Sequence, residues 1–141
     1  MKTKLLLLLL LANFSLYAQQ YTAIPDLNFE KKLIELNIDS GAPDGQVLTS
    51  KISALTILDV SSSSITDLTG IQNFVLLKEL SCRSNQLTTL DLSKNLALRS
   101  LDCSFNALTS LNINQIKDLV DFRCTNNQLA NLDIRTNDAL K

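Results

Sequence analysis

Residues 77–97, LKELSCRSNQLTTLDLSKNLA, are followed without a gap by LRSLDCSFNALTSLNINQIKD (98–118) and LVDFRCTNNQLANLDIRTNDA (119–139), so Leu77, Leu98, Leu119 and Leu140 open units 21 residues apart. A fixed period of this length is the signature of stacked repeats. Each unit divides into two halves of one pattern, L-x-x-L-x-C-x-x-N and L-x-x-L-x-[LI]-x-x-N, offset by ten residues: Leu77, Leu80, Cys82 and Asn85 are echoed by Leu87, Leu90, Leu92 and Asn95. Within each half the apolar positions alternate with period two, the burial pattern of a short strand, and no helical stripe runs through them. The spacing predicts a mostly β chain in which each coil has two short strands and two turns. Stacking such coils as parallel ladders about 4.8 Å apart gives a flattened solenoid.

This pattern resembles the leucine-rich repeat family, in the short nested 21-residue form found in secreted bacterial surface proteins, and the resemblance runs from Leu55 to the end of the chain. LTILDVSSSSITDLTGIQNFVL (55–76) is a 22-residue unit similar to the internalin type, with Ser63 where Asn is usual. Ahead of it, IPDLNFEKKLIELNI (24–38) resembles the helical N-terminal cap that precedes such arrays. Asp26 is placed to cap the helix start, Phe29, Leu33 and Leu36 fall on one face, and Gly41 lies beyond the end. The expected organisation is a helical cap over 19–51 and repeats over 52–141: one of 22 residues, three of 21 and the start of another. Asp138-Ala139-Leu140-Lys141 opens a further unit without a closing segment, which points to a piece of a longer array or to an edge partner at Leu132, Ile134 and Leu140.

Met1 to Ala18 has Lys2 and Lys4, an unbroken apolar run from Leu5 to Ala12, and a more polar stretch up to Gln19, the layout of a secretory signal peptide. The run is too short to span a bilayer, and no lipidation cysteine follows it. Export to the outside or the cell surface is the expectation. The 141 residues carry 13 Lys+Arg against 14 Asp+Glu, net -1, and loss of Lys2 and Lys4 would leave 11 against 14, net -3, which argues against a nucleic-acid partner. There is no His, the commonest general base and metal ligand, so hydrolytic and zinc chemistry are not expected.

Cys82, Cys103 and Cys124 occupy the same inward position of successive units. Side chains stacked in register point in parallel, whereas a disulfide needs a roughly perpendicular dihedral, so a column of buried free thiols is expected ahead of a disulfide or a soft-metal site. Asn85, Asn95, Asn106, Asn127 and Asn137 end their half-repeats and are expected to turn inward and satisfy backbone groups at the bends. Ile116 stands where a further Asn is due. The acidic turn Asp39 to Gln46 offers one carboxylate at alternate positions where a calcium loop needs three, so it reads as a Pro/Gly turn. Ser61 to Ser64 has no Lys or His partner and reads as a solvated strand and turn. No cofactor or metal is expected.

A ligand must touch the outward positions between the buried ones. On the first ladder these include Asp59, Glu79, Ser81, Arg83, Ser100, Asp102, Ser104, Asp121, Arg123 and Thr125, a mixed-charge surface. The second ladder, with Thr89, Asp91, Ser93, Asn112, Asn131 and Asp133 among its outward residues, is blander, and neither face carries Trp or Tyr. The expected function is that of a non-enzymatic recognition module that binds a protein or glycan at the cell surface through the face bearing Arg83, Asp102 and Arg123. A passive spacer that displays other domains is the alternative.

Overall fold

The structure is a computed structural model that describes residues 19–141. The leader read at 1–18 lies outside the described residues. The chain opens with strand β1 (Tyr21–Ala23), helix α1 (Leu27–Glu35), strand β2 (Gln46–Leu48) and the short helix α2 (Thr49–Ile52). Strands β3 (Ile57–Asp59), β4 (Glu79–Ser81), β5 (Ser100–Asp102) and β6 (Asp121–Arg123) follow at the repeat interval. β1 and β2 pair antiparallel, and β3 to β6 form one parallel sheet in sequence order. No helix among the described residues is long and apolar enough to cross a membrane.

The Asp26 carboxylate starts α1 by accepting from the Asn28 and Phe29 amides through Oδ1. Its Oδ2 accepts from the Thr66 amide and hydroxyl and from the Asp67 amide, 40 residues away in the first coil. One side chain therefore both begins the cap helix and fastens it to the repeats. Phe29 and Leu33 are fully buried, and the Phe29 ring lies 6.3 Å from that of Phe74, which closes the seam between cap and first coil. Leu36 departs from the expected apolar face: it caps the end of α1 and is exposed, because the helix stops after Glu35. Gly70 is positioned against the cap as well. It holds φ +105°, and a Cβ there would meet the Ala23 carbonyl at 2.7 Å.

Through the repeats the core is a stack of leucine columns. Leu77, Leu80, Leu87, Leu98, Leu101, Leu108 and Leu119 are essentially inaccessible, each contributing on the order of 2 kcal/mol of hydrophobic stabilisation. The second half of each coil departs from the expected architecture. Leu90, Leu92, Leu111 and Ile113 are buried there, yet no second strand ladder forms. The backbone closes local bonds instead: Asn95 to Leu92, Leu98 to Asn95, Ile116 to Ile113, Asn137 to Ile134 and Leu140 to Asn137, each amide donating to the carbonyl three residues earlier. Groups used in a tight turn are not available to a neighbouring coil, so one side of the solenoid is a sheet and the other a series of turns.

The asparagine column holds these coils together. Asn106 Nδ2 donates to the Cys82 carbonyl of the preceding coil and the Cys103 carbonyl of its own, while its Oδ1 accepts from the Leu87 amide. Asn85 bridges the Val60 and Cys82 carbonyls and accepts from the Ser63 and Ile65 amides, and Asn127 repeats the pattern at Cys103, Cys124 and Leu108. At the opposite bend Asn95 Nδ2 donates to the Ile71 and Phe74 carbonyls and Asn137 Nδ2 to the Ile113 and Ile116 carbonyls, all in the preceding coil, while their Oδ1 atoms are buried without a partner. Ile116 makes no such bond and is simply buried.

Candidate functional site

The four-stranded sheet sets its outward side chains in columns. Ile57, Glu79, Ser100 and Asp121 are in register, as are Asp59, Ser81, Asp102 and Arg123. A third column follows strand ends: Cys82 donates to Asp102 and Ser84 to Ser104, which sets Arg83 beside Ser104. A shallow depression of about 250 Å³ lies across the face, lined by residues that include Asp59, Glu79, Ser81, Asp102 and Arg123.

The charges pair in a way the columns alone do not dictate. Asp102 has Arg123 directly alongside, yet the guanidinium near it is the diagonal one of Arg83, at 3.8 Å. Arg123 turns back along its own strand to Asp121, at 3.1 Å. Both arginine side chains are well exposed, so each contact is worth at most about 1 kcal/mol. Asp59 takes the Ser61 amide on its carboxylate, and hydrogen bonding from Ser61, with the Lys32 charge adding, holds its carboxyl below the ordinary value. Ser61 and Ser81 hydroxyls share a 2.7 Å bond.

Of the ten outward residues read from the sequence, Asp59, Glu79, Arg83, Arg123 and Thr125 are exposed, and Ser81, Ser100, Asp102 and Asp121 are half-buried. Ser104 departs from expectation, being buried at 1% exposure with a hydroxyl that has no partner. The Arg83 side chain explains the burial. It reaches from the adjoining coil across Ser104, and its guanidinium carbon lies 4.4 Å from the centre of the Phe105 ring. Phe105 was not among the residues singled out by the sequence. It is 43% exposed and holds φ +57°, in the left-handed region. The equivalent positions of the other coils, Ser62, Ser84 and Asn126, share that backbone conformation with small polar side chains suited to it. A bulky side chain there costs about 1 kcal/mol. Lining up that column in the sequence would have marked Phe105 as the odd member.

Cys82, Cys103 and Cys124 are free thiols stacked inside the sheet. Burial raises all three, with Cys103 pushed up to about 12 and Cys82 higher still. Neutral thiols at these positions act as packing groups, not nucleophiles. The 39–46 turn is organised from outside itself: the buried Glu30 carboxylate accepts from the Asp44 and Gly45 amides. Among the described residues no group of three or more His, Cys, Asp or Glu side chains is placed to share a metal ion.

A parallel sheet over columns of buried leucine, with asparagines at most of the bends and a helical cap, is the architecture of a leucine-rich repeat protein. No family model matches the chain. Internalin J of Listeria monocytogenes serotype 4b (strain F2365) is 39% identical over 71 residues, which is 50% of this chain and 8% of that protein. The functional domain of internalin J from Listeria monocytogenes, whose structure includes a cysteine ladder, superposes with a TM-score of 0.78 at 37% identity, over 90% of this chain and 29% of that one. A leucine-rich repeat protein of Leptospira interrogans gives a TM-score of 0.62 at 28% identity, over 64% of this chain and 25% of that one. In sequence and fold the chain is similar to leucine-rich repeat proteins of the internalin type. It spans a small part of the length of these relatives.

Proposed function

We propose that the chain is a non-enzymatic recognition module, exported to the cell surface, and that the β3–β6 face bearing Arg83, Asp102 and Arg123 docks a protein partner. The observation that carries the reading is the charge arrangement on that face. Arginine side chains on the coils either side of Asp102 are held only by loose or exposed ion pairs, beside a shallow depression on a rigid sheet. Rigid elements presenting arginine and aromatic anchors are what protein interfaces use. The depression is shallow and lined largely by charged and hydroxyl side chains, with no Trp or Tyr on which a sugar could stack, which favours a protein surface over a glycan. Kinship with internalins supports a surface role, and the leader at 1–18 supports export.

The test is a panel of purified extracellular protein ectodomains and a glycan array, both probed with the purified chain and with an Arg83→Glu/Arg123→Glu double variant. Protein signals lost in the variant support docking on this face. Signals the variant retains move the site elsewhere, glycan signals alone overturn the choice of partner, and an absence of any signal favours the spacer reading.

A further inference from the structure

We propose that Arg83 and Phe105 form a preorganised receptor for a carboxylate, supplied by an Asp or Glu side chain of the protein partner with an apolar neighbour beside it. The inference rests on the reading of the β3–β6 face as a docking surface and names the chemistry recognised at one end of it.

The geometry has three independent parts. The Arg83 guanidinium is fixed in position by the Phe105 ring at 4.4 Å, while its contact with Asp102, at 3.8 Å, is too long for a hydrogen bond. The planar donor fork is therefore oriented but unused, the arrangement that binds carboxylates in bidentate fashion. Phe105 leaves 43% of its surface in water and occupies a backbone conformation that the rest of its column fills with Ser and Asn. Neither feature serves the solenoid, and residues kept against the local backbone preference concentrate at functional sites. Ser104, set beside Arg83 by register, has a buried hydroxyl with no partner beneath the Arg83 side chain. A carboxylate arriving in the plane of the guanidinium, at its free edge, meets donors that stacking on the Phe105 ring leaves open. The stacked guanidinium covers part of the Phe105 ring, which leaves the remainder for an apolar side chain and disfavours a sugar ring that needs an open aromatic face.

The experiment is an NMR titration of the isotope-labelled chain, reading the Arg83 Nε–H and Phe105 ring signals. The probes are acetyl-Glu-Leu-amide, acetyl-Gln-Leu-amide and glucuronate. The expected result is a saturable shift of both signals with the Glu peptide, with a dissociation constant on the order of millimolar for so small a probe, and no saturation with the Gln peptide. Arg83→Gln and Phe105→Asn should each weaken the Glu peptide at least fivefold. Asn already occupies the equivalent backbone site at Asn126, so the amide spectrum of Phe105→Asn should keep its dispersion. Equal responses to both peptides, or none to either, overturn the proposal, and glucuronate binding as well as the Glu peptide overturns its protein source. These probes touch one corner only, so a negative result here leaves the wider face to the ectodomain panel, while failure of that panel does not alter the titration.

Discussion

Replacing Asp26 separates the two jobs its carboxylate performs. Asp26→Ala removes the N-cap of α1, worth about 1 kcal/mol, and three donor contacts from Thr66 and Asp67. Those two residues are exposed, so water can take up part of the loss, and the contacts contribute on the order of 1–2 kcal/mol together. The sum of about 2–3 kcal/mol corresponds to a fall in melting temperature of roughly 8–12 °C for a chain of this size. Asp26→Asn keeps a good N-cap but presents one amide group where Oδ2 faces three donors, so it should lose only the second part, about half as much. Burial works to raise the Asp26 pKa, but donors from Thr66, Phe29 and Asp67 outweigh it and leave the carboxyl below its ordinary value. A lowered folded-state pKa stabilises the fold above the unfolded pKa, near 3.9, and the benefit is lost as pH falls through the folded value. Thermal melts of the purified chain and both variants, followed by circular dichroism at pH 7 and through successively more acidic buffers, read all of this. A melting temperature for Asp26→Asn equal to that of the parent, or a gap between parent and Asp26→Ala that does not narrow in acid, would refute the clamp.

Two other perturbations follow from the columns. Asn106→Ala leaves the Leu87 amide without its acceptor and takes one of two asparagine donors from each of the Cys82 and Cys103 carbonyls, which keep Asn85 and Asn127, and chemical denaturation should register a loss of about 1–3 kcal/mol; a loss under about 0.5 kcal/mol would mean that water replaces the amide. Thiol labelling of the native chain near neutral pH should modify Cys124, which is only partly buried, well before Cys103 and Cys82, whose raised pKa values and burial keep them protonated and out of reach. Mass spectrometry of peptides after brief exposure checks the order, and equal rates at the three sites would contradict it.

The repeat was legible because its period is long, unbroken and carried by residues whose burial does not depend on details. Leu80, Leu101 and their columns must face inward in any stack, and an asparagine that ends a half-coil has only inward backbone groups to satisfy. The second strand of each coil was misread from the same strength of pattern. Alternation at Leu90 and Leu92 specifies which side chains are buried, not where the backbone bonds go, and the turn bonds from Asn95 and Leu98 take the groups a ladder would need. Ser104 was out of reach for a different reason. Whether it is covered depends on the direction taken by Arg83 from the coil before it, whereas Phe105 stands out as the bulky member of a column of Ser and Asn once the repeats are lined up in the sequence. Asp26 was legible as a cap, whereas its bond to Thr66 requires knowing that the cap sits on the first coil.

Every asparagine in the two bends fastens in one direction. Asn85, Asn95, Asn106, Asn127 and Asn137 each send bonds to the coil that precedes them in the chain, or to their own, and none to the coil that follows. The completing side chain of a coil thus finds the preceding coil's acceptors already in place. A stack bonded in this way can be built outward from its capped end, each asparagine fastening to a coil already present. A polypeptide delivered amino terminus first can crystallise one layer at a time on the surface just laid down, with the α1 cap as the seed.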